Sequence, residues 1–109
     1  MDFEKFKMGW LLVTFDLPVI EPEQRKRANN FRKFLIDDGY LKIQLSVYAR
    51  SCVSFARQET HINRLKKNTP PEGTVRAIFI TRFQWDKSFV IHGLEKSKPE
   101  GLPEQIQLW

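Results

Sequence analysis

The run WLLVTFD, Trp10 to Asp16, constrains the fold more than any other stretch of the chain. Both of its alternations are free of charge until the last residue: Trp10, Leu12 and Thr14 lie on one side, Leu11, Val13 and Phe15 on the other. The composition favours a strand over a helix. Such a strand belongs in the middle of a sheet, covered on both faces. It ends on a carboxylate, followed at once by Leu17 and Pro18. An ionised Asp at the end of a buried strand needs hydrogen bonds, a positive partner or a metal. Asp16 is therefore expected to be either a capped turn residue or a working group.

The rest of the chain alternates element types. Pro22 suits the first turn of a helix, with Glu21 and Glu23 at its positive end, and Ala28, Phe31, Phe34 and Leu35 form an apolar stripe at helical spacing. Gly39, after Asp37 and Asp38, is the stop; those two carboxylates fit local capping. LKIQLSVYAR has period-two alternation, with Leu41, Ile43, Leu45, Val47 and Ala49 opposite Lys42, Gln44, Ser46, Tyr48 and Arg50. It predicts one long strand, or two short ones meeting at a bulge. Ser54 is placed to cap a second helix with the stripe Phe55, Ile62 and Leu65, ending in Arg64, Lys66 and Lys67 before the break NTPPEG. TVRAIFITRF predicts a strand with Val75, Ala77 and Phe79 against Ile78 and Ile80. A shorter strand is expected over Ser88 to Ile91.

The order β, α, β (whole or split), α, β, β predicts a ferredoxin-like α+β sandwich, with right-handed crossovers placing both helices on one face of a single sheet. The other face still carries apolar residues from the first and later strands. A second copy packing sheet to sheet through a two-fold axis would bury them, so a homodimer is expected. At 109 residues the chain is read as one domain over 1–93 with a tail over 94–109. Hydrophobic residues make up 41%, with nine Phe and three Trp, which excludes a disordered chain. No apolar run approaches the roughly 20 residues of a membrane span. MDFEKFKM lacks the pattern of a secretory signal, and a cytoplasmic location is expected. The single cysteine, Cys52, excludes an internal disulfide and fits simple packing.

Eighteen Lys and Arg against thirteen Asp and Glu give a net charge of +5, a balance that suits an anionic partner such as nucleic acid. Arg25, Lys26, Arg27, Arg32 and Lys33 crowd into the first helix. Their spacing against Phe31, Phe34 and Leu35 predicts an outward positive face. With no Gly-rich phosphate loop and no base-reading motif, binding there would be to phosphates and independent of sequence. A solvated helix face is the plainer alternative. His61 and His92 have no partner at metal-ligand spacing and receive no role.

FDLP closing the first strand, RKRANNFRKFLIDDGY, IQLSVYAR and RLKKNTPPEGTVRAIFITRFQW, in that order, resemble the CRISPR-associated protein Cas2 family, and members from type II systems in particular. The resemblance covers roughly Gly9 to Gly93. It implies a role in spacer acquisition, with a dimer bridging integrase dimers and holding duplex DNA, and a metal-dependent endoribonuclease or deoxyribonuclease activity in some members. Asp16 matches the family's acidic residue, which makes it the candidate catalytic residue and ligand of Mg²⁺ or Mn²⁺. One Asp is a poor magnesium site; two copies facing a dimer axis would supply a pair. Ser46 and Tyr48 match a segment that lines the groove near Asp16 or packs at the core edge. A stand-alone metal-dependent ribonuclease of toxin type, acting on single-stranded RNA, would use the same Asp16. An RNA-recognition module has a similar element order, but VRAIFITRF lacks its glycines and aromatic spacing. The tail ends in Ile106, Leu108 and Trp109, an apolar terminus that suggests a docking strand for the partner protomer or the integrase.

Overall fold

The computed structural model describes residues 8–91, and in it the central strand of the sheet is the one expected. The elements are β1 (Gly9–Asp16), α1 (Pro22–Asp37), β2 (Leu41–Gln44), β3 (Val47–Cys52), α2 (Phe55–Asn68), β4 (Thr74–Thr81) and a short α3 (Arg82–Asp86). The sheet order is β2-β3-β1-β4 and every neighbouring pair is antiparallel. This is the βαββαβ arrangement of a ferredoxin-like fold.

Leu11, Val13 and Phe15 of β1 point toward the helices and are buried with Phe31 and Leu35 of α1, Tyr48 and Cys52 of β3, and Leu65 of α2. Val75, Ala77 and Phe79 of β4 complete that layer. Phe15 meets Phe31 edge-on, with centroids 5.2 Å apart. The ends of α1 follow from its sequence. Pro22 is at its first turn, and the Gln24 side chain accepts the backbone N–H groups of Ile20 and Glu21. At the other end Gly39 adopts a φ of +97°, and Tyr40 N–H reaches back to the Leu35 carbonyl at 2.9 Å. Ser54 Oγ accepts the Arg57 N–H at the start of α2. Leu65 and Ile62 turn inward there, while the side chain of Phe55 lies outside the described residues.

Three expectations change. LKIQLSVYAR is two short strands, as the split reading has it, but they meet at a tight hairpin turn over Leu45–Ser46, with Gln44 opposite Val47, and the register shift lies within the ladder between Lys42 and Gln44. The side taken as polar faces the helices, because Tyr48 and Arg50 pair with Val13 and Leu11 of the core layer. Leu45 is exposed at the turn. Ser88 to Ile91 is not a strand. The β4 ladder stops at Thr81, whose hydroxyl caps α3 through Gln84 N–H, and both the N–H and the hydroxyl of Ser88 still donate to the Trp85 carbonyl. Finally, the face of the sheet away from α1 and α2 is partly covered by the chain itself. Trp85 of α3 is buried against Trp10, centroids 5.8 Å apart. Leu12 and Ile80 remain half-buried there and Ile78 is exposed. No helix of the described residues is long and apolar enough to cross a membrane. His92 and the tail residues Ile106, Leu108 and Trp109 lie outside the described residues.

Candidate functional site

Asp16 is the last residue of β1 and pairs with Thr74 of β4. It shares its alternation with Trp10, Leu12 and Thr14, so it belongs to the sheet face opposite α1 and α2. Among the described residues its carboxylate makes no ion pair and accepts no hydrogen bond, and the residue is exposed. The turn cap is not made: the strand ends where its face opens to solvent, so no desolvation has to be offset.

Two backbone contacts fix where this carboxylate stands. The N–H of its neighbour Phe15 donates to the Ser46 carbonyl at 3.1 Å, placing the hairpin turn beside the end of β1. Gly73, with φ +92°, passes so close that a Cβ on it would lie 2.5 Å from the Asp16 carbonyl oxygen. The loop carrying Gly73 is in turn fastened to α1 by the Arg27–Glu72 ion pair at 2.9 Å. Ser46 is therefore near Asp16 through its main chain. Tyr48 is not: its ring packs in the core against Phe15, 5.7 Å between centroids, on the opposite face of the sheet. Arg76, opposite Thr14 and exposed, shares the face of Asp16. Its place in the register, invisible without knowing how β4 pairs, is why sequence reasoning passed over it.

The basic residues of α1 divide into two kinds. Arg25 donates to the carbonyls of Val19 (3.1 Å) and Ile20 (2.7 Å) and so holds the loop after β1. Arg27 is committed to Glu72. Arg32 is half-buried with its guanidinium over the Phe15 ring at 5.4 Å, and its Nε is buried without a partner. Of the five cations expected on the outward face, Arg25 is exposed but bonded to the loop, Arg27 is paired at the surface, Arg32 is turned half inward, and Lys26 and Lys33 are exposed and uncommitted among the described residues.

A second basic cluster was not assembled from the sequence. Arg50 of β3 and Arg57, His61 and Arg64 of α2 line one cleft of 310 Å³ with Ser51 and Val53. Arg57, His61 and Arg64 stand at i, i+4 and i+7, which is a legible helical face; the strand contribution is not legible until β3 is paired. Asp38, expected only to cap α1, reaches across to Arg64 with its Oδ1 at 2.9 Å, and its carbonyl accepts from Arg50. His61 is buried, and its Nδ1 accepts from Arg64 Nη2 at 2.9 Å. Burial first, then the charges of Arg50 and Arg64, hold the imidazole below its ordinary pKa. Burial, reinforced by Asp38, pushes the Tyr40 phenol well above its usual value. The Cys52 thiol is also raised by burial and donates to the Ser54 carbonyl, which fits packing alone.

Among the described residues no three His, Cys, Asp or Glu side chains group as a metal site.

Residues 8–88 match the family model described as CRISPR associated protein Cas2. Three similar proteins each carry the name CRISPR-associated endoribonuclease Cas2. That of Parvibaculum lavamentivorans is 37% identical over 100 residues, covering 92% of this chain and 99% of the relative. That of Paracidovorax avenae is 34% identical over 104 residues, 95% of this chain and 96% of the relative. That of Treponema denticola is 38% identical over 96 residues, 88% of this chain and 95% of the relative.

Proposed function

This chain belongs to the CRISPR-associated protein Cas2 family, and from that premise we propose that it acts in CRISPR spacer acquisition as a two-fold dimer that binds duplex DNA through its phosphates and bridges integrase dimers. The observation that carries the reading is the open sheet face. Ile78 is 40% exposed there, Leu12 and Ile80 are only half covered, and the following segment leaves Phe89 and Ile91 87% exposed. A second copy is the simplest cover for an apolar strip of this kind, since the symmetry axis lets one patch bury itself. The phosphate contacts fall to Lys26 and Lys33, the α1 cations not spent on the fold, and to Arg76 on the open face. A cytoplasmic setting goes with that role.

A second reading has its own support. The relatives are named endoribonucleases, and Asp16 is an exposed carboxylate with no partner among the described residues, beside a cation on the same face. Mg²⁺ takes about six oxygens and usually one or two carboxylates with water and phosphate. A single chain supplies one carboxylate through Asp16, while two copies bringing both Asp16 side chains to the axis would supply two. A divalent ion there supplies a Lewis acid at the phosphodiester. Asp16 would hold the ion, and Arg76 would orient the phosphate. The RNA-recognition alternative gains no support: Phe79 and Val75, which such a module would present to bases, pack toward the helices.

The test is a double charge reversal, Lys26→Glu with Lys33→Glu, in a duplex-binding titration over salt. Loss of two phosphate contacts lowers the log–log slope by about 0.9 each, with an unchanged melting point because both side chains are exposed. Light scattering on the same samples reports the dimer. An unaltered slope, or a mass of one chain at micromolar concentration, rejects the proposal.

A further inference from the structure

The cleft between β3 and α2 has the composition of an anion site. Three guanidinium groups face it, against the single carboxylate of Asp38 that pairs with one of them. It lies where β3 outruns its neighbour: pairing with β2 reaches only Ala49, so Arg50 to Cys52 form a free edge on that side among the described residues. The volume of 310 Å³ is enough for one tetrahedral oxyanion with water.

The donors are fixed in advance. Arg50 gives its Nε to the Ser51 carbonyl and its Nη1 to the Asp38 carbonyl, which leaves Nη2. Arg64 gives Nε to Asp38 Oδ1 and Nη2 to His61 Nδ1, which leaves Nη1. An arginine is always the donor, so His61 Nδ1 accepts and the ring proton resides on Nε2. The neutral state of the imidazole is the one its burial favours. Arg57 is exposed, with no side-chain partner among the described residues, and keeps its whole fork. Two anchored arginines and one free arginine thus present more donors than a carboxylate has lone pairs to accept. The one ring in the lining is the His61 imidazole, which is buried and held by Arg64.

We infer that the Arg50–Arg57–Arg64 cleft binds a phosphoryl group, held by the free edges of the three guanidinium groups around His61. The anion site stands on this geometry alone. Taking its ligand as a phosphate of the nucleic-acid backbone rests on the function proposed above, and would add a contact remote from Lys26 and Lys33 in the chain.

The experiment follows the imidazole ¹⁵N resonances of the full chain as inorganic phosphate, a short duplex DNA or hexaglutamate is added, in the wild type, in Arg57→Glu and in Lys26→Glu/Lys33→Glu. Inorganic phosphate is expected to move the His61 signals in the wild type and in the lysine variant, and not in Arg57→Glu. Melting curves confirm that Arg57→Glu is folded. With a backbone phosphate as ligand, duplex moves the same signals, and Arg57→Glu weakens duplex binding about tenfold, the worth of one charge-assisted contact. If phosphate moves His61 while duplex binds only through the lysines, the source is free phosphate. A duplex that binds nowhere while phosphate still moves His61 keeps the anion site and removes the nucleic-acid reading. His61 signals that ignore phosphate and duplex, or that move with hexaglutamate alone, overturn the inference.

Discussion

Gly73 passes the end of β1 so closely that a Cβ on it would stand 2.5 Å from the carbonyl oxygen of Asp16. The approach is possible only because Gly73 holds φ at +92°, a conformation that costs a residue with a side chain about 1–3 kcal/mol. Gly73→Ala therefore combines backbone strain with a backbone clash. It is expected to lower the melting point by roughly 10 °C, taking about 2 kcal/mol at 4–8 °C each for a domain of this size. Thermal unfolding followed by circular dichroism checks it, and an unchanged melting point would mean the loop can move away from Asp16 without cost.

Asp16 itself should contribute little to folding. Its carboxylate is exposed and has no partner among the described residues, so Asp16→Asn is expected to change stability by less than about 0.5 kcal/mol. Duplex affinity should hold or rise, because a negative charge is removed from a face shared with Arg76. Any metal-dependent nuclease activity should fall by orders of magnitude. Measured together, these separate the two functions in one protein. Spacer acquisition lost in Asp16→Asn, with the dimer and its integrase binding intact, would show that cleavage rather than bridging is the essential task.

The parts of the fold visible in the sequence were those with a local cause. Pro22 and Gly39 mark the ends of α1, Ser54 the start of α2, and the apolar alternations of β1 and β4 their central positions. What stayed hidden depended on pairing. Leu45–Ser46 has none of the Gly, Asn or Asp residues that announce a tight hairpin, so the turn, and with it the inward direction of Tyr48, could not be read from one strand's pattern. The site divides the same way. Asp16 stood out because a carboxylate ended an apolar run. The internal commitments of Arg25, Arg27 and Arg32, and the meeting of Arg50 with Arg57, His61 and Arg64, are products of tertiary contacts between residues far apart in the chain.

Trp85 tests how the open face is covered. It is buried against Trp10 by a helix of five residues whose first turn depends on Thr81 and Gln84. Trp85→Ala should cost about 3 kcal/mol, the low end for a buried Trp, and should shift the emission of Trp10 to the red as that ring meets water. A fold that keeps its melting point and its emission would mean that another surface, such as a second copy, covers Trp10 once α3 is weakened.

The final prediction concerns acid. His61 is buried beside Arg50, Arg57 and Arg64 with Asp38 as the only carboxylate among the side chains named around it, and its folded pKa is lowered by burial and then by Arg50 and Arg64. An unfolded chain takes a proton on that imidazole near pH 6.5, whereas the folded chain resists until lower pH. The unfolded state binds more protons across that interval, so stability rises with pH there. The contribution is whole above about pH 6.5 and is lost as pH falls through the folded value. Protonation would also bind a proton to the Nδ1 lone pair that accepts from Arg64, placing two donors face to face. His61→Gln retains an acceptor and cannot gain the charge, so its urea-unfolding free energy should be flatter than that of the wild type as pH falls from 7 through the region below about 6.5. Parallel curves for the two proteins would mean that the imidazole binds protons alike in the folded and unfolded chain, so that burial and the arginines do not hold its folded pKa down.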